Sequence, residues 1–317
     1  MLPATLAAIS CALCALLAGC GGHVITKTTT TQGASKPIAR DATREELIDR
    51  YNLVARGVQS LSLTVELKPT AGSKYSGVIQ EYHEVKAFLL VARPANIRVI
   101  GQVPVIGKTA FDMASDGETF RVSIPSKNKF LVGSVAVTRA SDKPIENLRP
   151  EHMLEAFLWP EIRKEEEVLV EEYDDEKGRY YILSVLRGGY RTEILRKVWF
   201  DRSDLQVSQL ENFGPKGLLQ TDVHLADWRP VDPSAASATP TAPASGDALT
   251  TFAHTIAIER PHDDYRLDLL VTKITLNEPI PAARFQLDQP PGSELVRVGA
   301  DAGNPPQNTA PSKDQKQ

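Results

Sequence analysis

Several features that would indicate chemistry or nucleic-acid binding are scarce in this sequence. The 317 residues hold 36 Lys and Arg against 40 Asp and Glu, so no basic excess predicts a surface that follows phosphates, and nucleic acid is not an expected partner. The six histidines form no His-x-x-x-His or comparable ligand pair, and neither a Gly-x-Ser-x-Gly elbow nor a phosphate-binding loop occurs. We therefore expect no enzyme, no catalytic residue, no metal and no cofactor.

Cysteine is also scarce, and all three cysteines lie within the first 20 residues. Cys11 and Cys14 fall inside Leu2–Ala18, an uncharged apolar stretch typical of a secretory signal and too short for a comfortable transmembrane helix. The overall polarity also excludes a protein with many membrane spans. Removal of residues 1–19 would leave one cysteine and no disulfide, so the folded domain must depend on core packing.

The apolar stretch ends in Leu17-Ala18-Gly19-Cys20, which resembles the lipobox of bacterial lipoproteins. The resemblance implies that residues 1–19 are a signal peptide and that Cys20 carries the lipid that attaches the protein to a membrane. The alternative is an ordinary signal peptide with a chance cysteine. No Lys or Arg precedes the apolar stretch, which departs from the usual signal. Gly21 after Cys20 resembles an outer-membrane sorting signal, with the domain facing the periplasm.

Composition divides the remaining chain. Residues 20–40 are rich in Gly, Thr and Ser and predict a lipidated N-terminus followed by a flexible tether. Residues 41–298 are expected to form one domain. Within it, residues 232–247 hold no apolar side chain larger than Ala, which predicts a disordered insert between two strands. Residues 299–317 are polar and predict a disordered tail.

The hydrophobic pattern of the domain is mostly that of strands. A capping box at Thr43 and Glu46 predicts a helix that ends near Gly57, and Pro150 predicts the start of a second, short helix. Elsewhere, short alternating segments give about ten or eleven antiparallel strands, and no βαβ alternation occurs. The predicted fold class is α+β, a curled antiparallel half-barrel sheet with helices across its concave face.

The order of several short motifs resembles the lipoprotein-carrier superfamily, the LolA/LolB fold with its RseB relatives. The motifs are Val58-Gln59-Ser60-Leu61, Arg93-Pro94, Ile97-Arg98, Ser115-Asp116-Gly117 with Pro125, and Phe285-x-Leu287-x-x-Pro290-Pro291-Gly292. The resemblance implies a hydrophobic cavity between sheet and helices that receives acyl chains or another apolar partner, and lipid anchoring makes the chain more similar to the receptor LolB than to a soluble carrier.

The receptor-like members expose an apolar residue on a hairpin loop, and Val103, Val105 and Ile106 lie at the corresponding place in this sequence. The resemblance implies that these side chains protrude and touch membrane or cargo. The alternative is that they pack at the end of the sheet, as valine and isoleucine at loop edges usually do.

Three hypotheses follow for the function. The first is a membrane-anchored lipoprotein that binds acyl chains or another apolar ligand, in lipoprotein localisation to the outer membrane. The second is a periplasmic regulator that binds an envelope protein, as the RseB resemblance allows. The third is a structural envelope lipoprotein without ligand. An open apolar cavity favours the first over the third, whereas a cavity filled by side chains argues against binding.

Overall fold

The computed structural model describes residues 38–73, 78–136, 147, 149–231 and 249–298. The predicted signal peptide, Cys20, the tether up to residue 37, the insert at 232–247 and the tail at 299–317 lie outside these residues and remain predictions.

The described residues contain two α-helices. Helix α1 is Arg44–Gly57 and begins at the predicted capping box, in which the Glu46 backbone N–H donates to the Thr43 hydroxyl and the Thr43 N–H donates to the Glu46 carboxylate. The second predicted helix starts as a 3-10 turn at Pro150–Met153 and continues as α2, Leu154–Phe157. Both helices therefore begin where the sequence predicts.

Fifteen strands account for most of the remaining described residues. They are β1 Ser60–Ser73, β2 Val78–Glu81, β3 Val85–Ala92, β4 Asn96–Gln102, β5 Thr109–Ser115, β6 Thr119–Ile124, β7 Lys129–Ser134, β8 Glu166–Asp174, β9 Arg179–Arg187, β10 Glu193–Asp201, β11 Val207–Phe213, β12 Leu219–Pro230, β13 Thr251–Arg260, β14 Tyr265–Leu276 and β15 Glu294–Val298.

The strands form one curled sheet that does not close. Its order is β15-β7-β6-β5-β4-β3-β1-β14-β13-β12-β11-β10-β9-β8, and β2 pairs with the end of β1. Strands β12 and β13, which flank the predicted insert, pair directly and antiparallel. The predicted half-barrel architecture is thus consistent with the structure.

The predicted strand number is too low, and one pair has a different orientation. The apolar run from Val78 to Val91 is broken at 82–84 into β2 and β3, and the short segments β7 and β15 also add to the sheet. Strand β15 pairs with β7 in parallel, whereas the prediction was an antiparallel sheet. A five-residue strand that is largely exposed carries no strong alternating pattern, so its partner was not visible in the sequence.

Helix α1 lies on the concave face of the sheet. Leu47 and Tyr51 are fully buried, and the Tyr51 ring stacks on Trp159 with centroids 5.3 Å apart. The guanidinium of Arg196 in β10 also lies over the Tyr51 ring, 5.6 Å from its centroid, so the helix faces β10. Buried side chains of this size contribute about 1.5–3 kcal/mol each. This packing fixes the helix on the sheet.

The chain from Pro150 to Phe157 covers another part of the concave face, since it contacts β4, β5 and β12. Met153, Phe157 and Trp159 are buried in the same apolar core as the strands. The centre of the half-barrel is therefore filled by side chains.

Candidate functional site

The loop between β4 and β5 presents the apolar side chains that the sequence analysis named. Val105 is fully exposed, Ile106 is 66% exposed and Val103 is 38% exposed. The loop is closed by backbone hydrogen bonds, from Val103 N–H to the Lys108 carbonyl at 2.9 Å and from Gly107 N–H to the Val103 carbonyl at 3.0 Å. Val105 and Ile106 thus protrude from a closed turn, whereas Val103 is only partly exposed.

Val105 has a backbone conformation that its side chain disfavours. Its φ is +69°, in the left-handed region, and the following Gly107 has φ +67°. A β-branched residue in this region is a genuine outlier that costs on the order of 1–3 kcal/mol. The turn therefore holds an exposed valine where Gly or Asn would be more stable. Such strain at an exposed apolar tip is a reason to look for a function there.

Beside this loop is an open apolar cavity of about 770 Å³, within the range of small-ligand sites. It lies at the end of the sheet where β1, β4 and β6 finish and where β3, β5 and β14 begin. Its lining is Pro69, Thr70, Ala71, Tyr82, His83, Glu84, Val85, Val103, Pro104, Ala110, Phe111, Ser126, Tyr265 and Leu267.

The base and the mouth of the cavity differ in polarity. Ala71, Val85, Tyr265 and Leu267 are buried and form an apolar base. The exposed lining residues include the polar His83, Glu84 and Ser126, together with Val103 and Pro104 of the loop. An elongated apolar ligand would therefore bury its chain at the base and keep a polar end at the mouth.

One wall of the cavity is shaped by a glycine. Gly101 of β4 pairs with Phe111 of β5, and a Cβ at Gly101 would lie 2.4 Å from the Phe111 ring. The missing side chain lets the ring lie flat against the strand, an arrangement in which an aromatic side chain covers a cross-strand glycine. Phe111 is thereby held in the cavity lining.

Behind the base of the cavity lies a buried polar cluster. The His152 Nδ1 is 2.7 Å from the Tyr265 hydroxyl, and its Nε2 is 3.3 Å from Nη2 of Arg260. Because a guanidinium only donates, Nε2 must accept and the ring proton is assigned to Nδ1, which donates to Tyr265. This network fixes Tyr265, whose side chain lines the cavity.

Burial perturbs the titrating groups of this cluster. It raises the pKa of Glu151 to about 7, against the favourable charges of Arg149 and Arg260, and neither carboxylate oxygen has a hydrogen-bond partner within the described residues. Burial and the charge of Arg260 lower the pKa of His152 well below its usual value, and burial raises the pKa of Tyr265 well above its own. Negative charge in the cluster comes from Asp263 and Glu155, whose carboxylates lie 2.8 Å and 3.6 Å from the Arg260 guanidinium, whereas His152 is neutral near pH 7.

The family resemblance points to the loop, whereas no sequence pattern marks this cavity. Tyr82, Phe111 and Tyr265 come from three separate strand ends, and no spacing along the chain marks them as neighbours. The predicted cavity between sheet and helices is replaced by side-chain packing, since α1 and Trp159 occupy that space. The alternation of Tyr265 and Leu267 predicts that both side chains are buried on one face of β14, but it does not indicate that they line a cavity.

Two further findings concern metals and membranes. Among the described residues, no group of three or more His, Cys, Asp or Glu side chains is arranged to hold a metal ion. Within the same residues, no helix combines the length and the apolar character needed to cross a membrane.

Comparison with known proteins gives matches only among solved structures. No family model matches the chain, and no curated protein matches it. A LolA-superfamily protein of Nitrosomonas europaea is 11% identical, with a TM-score of 0.44 over 78% of this chain and 99% of that one. An outer-membrane lipoprotein-sorting domain of Vibrio parahaemolyticus is also 11% identical, with a TM-score of 0.43 over 75% of this chain and 93% of that one.

The MucA/MucB complex of Pseudomonas aeruginosa also matches, at 13% identity and a TM-score of 0.22, over 75% of this chain and 95% of that one. These likenesses concern the chain trace alone. The candidate functional residues are therefore those that the geometry brings together in the loop, the cavity and the cluster behind it.

Proposed function

We propose that this protein is a lipoprotein, anchored to the membrane through Cys20, that binds acyl chains or another apolar ligand and acts in lipoprotein localisation to the outer membrane. The observation that carries the proposal is the open apolar cavity of about 770 Å³ bordered by the exposed loop of Val103, Val105 and Ile106. Because the apolar loop lies next to the apolar cavity, an acyl chain could pass from a membrane to the cavity without contact with water.

The size of the membrane contact follows from the exposed side chains. Full burial of a valine or isoleucine side chain contributes about 1.5–3 kcal/mol, so insertion of Val105 and Ile106 together contributes at most about 3–6 kcal/mol. Replacement of both by asparagine is therefore expected to weaken binding to vesicles by about a hundredfold or more. The space between sheet and helices is filled by side chains, but the cavity at the end of the sheet is open, and this open cavity favours the function over a structural lipoprotein without ligand.

The membrane contact is tested by vesicle flotation of the full mature chain with Cys20→Ser, so that the lipid anchor does not mask the loop. Val105→Asn with Ile106→Asn should abolish flotation, and thermal unfolding should be unchanged or slightly improved because asparagine tolerates φ +69°. Leu218→Asn is the matched control, since Leu218 is 47% exposed in the turn between β11 and β12. Equal flotation of all variants would contradict the membrane role.

The cavity is tested separately with a fluorescent fatty acid and with a triacylated lipopeptide as competitor. Ala110→Trp places an indole in the half-buried cavity lining and is expected to reduce binding at least tenfold. Ala226→Trp, on an exposed position of β12, is the control for the added aromatic group. Binding that survives Ala110→Trp would show that the ligand does not use this cavity.

A second candidate function is a module that binds an envelope protein. The observation that favours it is the edge of the sheet at β8, which no other strand of the described residues pairs with on its outer side and which is far along the strand order from the cavity. The two functions use different surfaces and are compatible in one protein.

A further inference from the structure

Strand β8 forms one edge of the sheet. It is Glu166–Asp174, nine residues long, and it pairs with β9 along its whole length, from Glu166 opposite Arg187 to Asp174 opposite Arg179. No strand of the described residues pairs with its outer side. The backbone N–H and C=O groups on that side are therefore available to a further strand.

The two faces of β8 are different. Val168 and Val170 lie opposite Val185 and Leu183, which are fully buried, so they belong to the core side. The alternate residues Glu167, Leu169, Glu171 and Tyr173 are all exposed and point to the convex side. Leu169 is 58% exposed and Tyr173 is 44% exposed. This convex row alternates acidic and apolar side chains.

Soluble proteins usually protect a long edge strand with lysine, proline or a bulge, or keep the strand short. Strand β8 has nine residues with no Lys and no Pro, its register with β9 has no bulge, and three of its large apolar side chains, Leu169, Val170 and Tyr173, are exposed. Its protection consists of negative charge alone. Such an edge repels acidic strands and still accepts a basic one.

Part of that negative charge is neutralised within the domain, and part is not. Arg196 lies 3.0 Å from Glu166 and Arg202 lies 2.7 Å from Glu172, so the carboxylates of the core-side row have partners. Among the described residues no ion pair involves Glu167 or Glu171, the two carboxylates of the convex row. The uncompensated charges thus flank Leu169 on the face that a new strand would share.

Next to this row lies a small aromatic surface. Tyr173 is opposite Tyr180, and both rings contact Trp199 of β10 edge-on, with centroids 5.5 Å and 5.8 Å apart. A lysine or arginine on an adjacent strand could lie between these rings and Glu171, where both the ring faces and the carboxylate attract a cation. The apolar end of β8 therefore also favours a basic partner.

We infer, building on the second candidate function, that the outer edge of β8 is a docking site for a β-strand of another envelope protein, in which Lys or Arg alternate with apolar residues along one face, that is, at every second position of the strand. When such a strand is added, its basic side chains lie opposite Glu167 and Glu171 and its apolar side chains lie opposite Leu169 and Tyr173. A second copy of this chain fits poorly, because pairing two β8 strands brings five carboxylates of each copy together.

The test uses the full mature chain with Cys20→Ser and a synthetic nine-residue peptide with valine at positions 2 and 6, lysine at positions 4 and 8 and threonine elsewhere, so that lysine and valine alternate along one face. A second peptide carries glutamate in place of lysine. The wild-type domain is expected to bind the lysine peptide with a dissociation constant in the micromolar range, and the glutamate peptide should not bind. Glu167→Lys with Glu171→Lys should reduce binding of the lysine peptide by about tenfold or more and create binding of the glutamate peptide, because each cross-strand pair changes sign. Glu176→Lys, in the turn after β8, is the control and should leave the preference unchanged.

Backbone pairing is separated from simple charge attraction by N-methylation. Two versions of the lysine peptide carry N-methyl groups at all odd or at all even positions, with identical charge. Because successive N–H groups of a strand point to opposite sides, only one version should lose binding. Equal binding of both versions, or no binding of the unmethylated peptide, would overturn the proposal.

Two other occupants of the edge give distinct results. If the chain's own segment before residue 38 covers β8, Lys27→Glu with Lys36→Glu should raise peptide affinity severalfold. If two copies pair through β8, native mass spectrometry should show a dimer that Leu169→Lys dissociates. Either result would overturn the assignment to another protein, whereas unchanged affinity in the first variant and a monomer in the second experiment support it.

Discussion

Glu151 makes the stability of this domain depend on pH in a predictable direction. Its carboxylate is buried without a hydrogen-bond partner in the described residues, and burial raises its pKa to about 7 from an ordinary value of 4.5. The folded state therefore retains a proton between these values while the unfolded chain has lost it. Since the unfolded state binds fewer protons there, the free energy of unfolding falls as the pH rises from about 4.5 to about 7.

The size of this effect follows from the difference between the two pKa values. A change of 2.5 pKa units corresponds to about 3 kcal/mol, of which less than about 1 kcal/mol is lost at pH 5 and nearly all at pH 8. Glu151→Gln removes the charge and keeps a side chain of the same shape. The stability gain of the variant over wild type is expected to be about 2.5 kcal/mol larger at pH 8 than at pH 5, and any cost of burying the amide is the same at both pH values.

The assay is thermal unfolding of both proteins, followed by circular dichroism, at pH 5 and pH 8. For a domain of this size 1 kcal/mol shifts Tm by about 2–4 °C, so the Tm difference should grow by about 4–10 °C between the two pH values. Both proteins keep His152, so its own titration cancels in the comparison. Glu118→Gln, at an exposed turn position, controls for the loss of a charge. A Tm difference that is the same at both pH values would refute the reasoning.

Three further substitutions test the packing around the site. Arg93→Met should lower the free energy of unfolding by about 2–4 kcal/mol in urea titrations, because the guanidinium donates to the carbonyls of Ala55, Val58 and Trp159 and no other group would replace it. Gly101→Ala should displace the Phe111 ring, with a cost of about 1–3 kcal/mol and weaker binding of a fluorescent fatty acid, and unchanged binding would contradict the close contact. Asn277→Ala should lower the free energy of unfolding by about 2 kcal/mol in the same titrations. The Asn277 side chain accepts from the Gln59 N–H and donates to the Gly57 carbonyl, and Asn277 itself has φ +58°. An effect below about 0.5 kcal/mol would show that this link is not needed.

Local signals explain why most of the fold was visible in the sequence. The capping box at Thr43 and the proline at 150 act within one helical turn, and both helices begin where these residues predict. The turn at Asp116 and Gly117 is equally local, because the Asp116 carboxylate accepts from the Thr119 N–H and Gly117 has φ +89°. Such features require no knowledge of distant residues.

The strand number and the cavity depend on contacts that are distant in sequence. Strand β15 is a strand only because β7, more than 150 residues earlier, accepts it in parallel. The cavity exists because Tyr82, Phe111 and Tyr265 meet at one end of the sheet, which requires the whole strand order. The loop at Val105 could be named from the resemblance, but its exposure and its positive φ are properties of the folded turn.

The cavity and the edge of β8 can be separated by experiment because the sheet keeps them apart. The cavity is lined from β1, β3, β5 and β14 and the loop after β4, whereas five strands, β13 to β9, lie between β14 and β8 in the strand order. Substitutions at Glu167 and Glu171 therefore share no contact with Val105 or Ala110, and effects of distant sites usually add. A variant with both sets of changes should lose lipid binding and peptide binding to the same extent as the separate variants. Coupling between the two would mean that the curled sheet transmits a change of shape from one to the other, and the domain would then be a switch whose lipid load controls its partner.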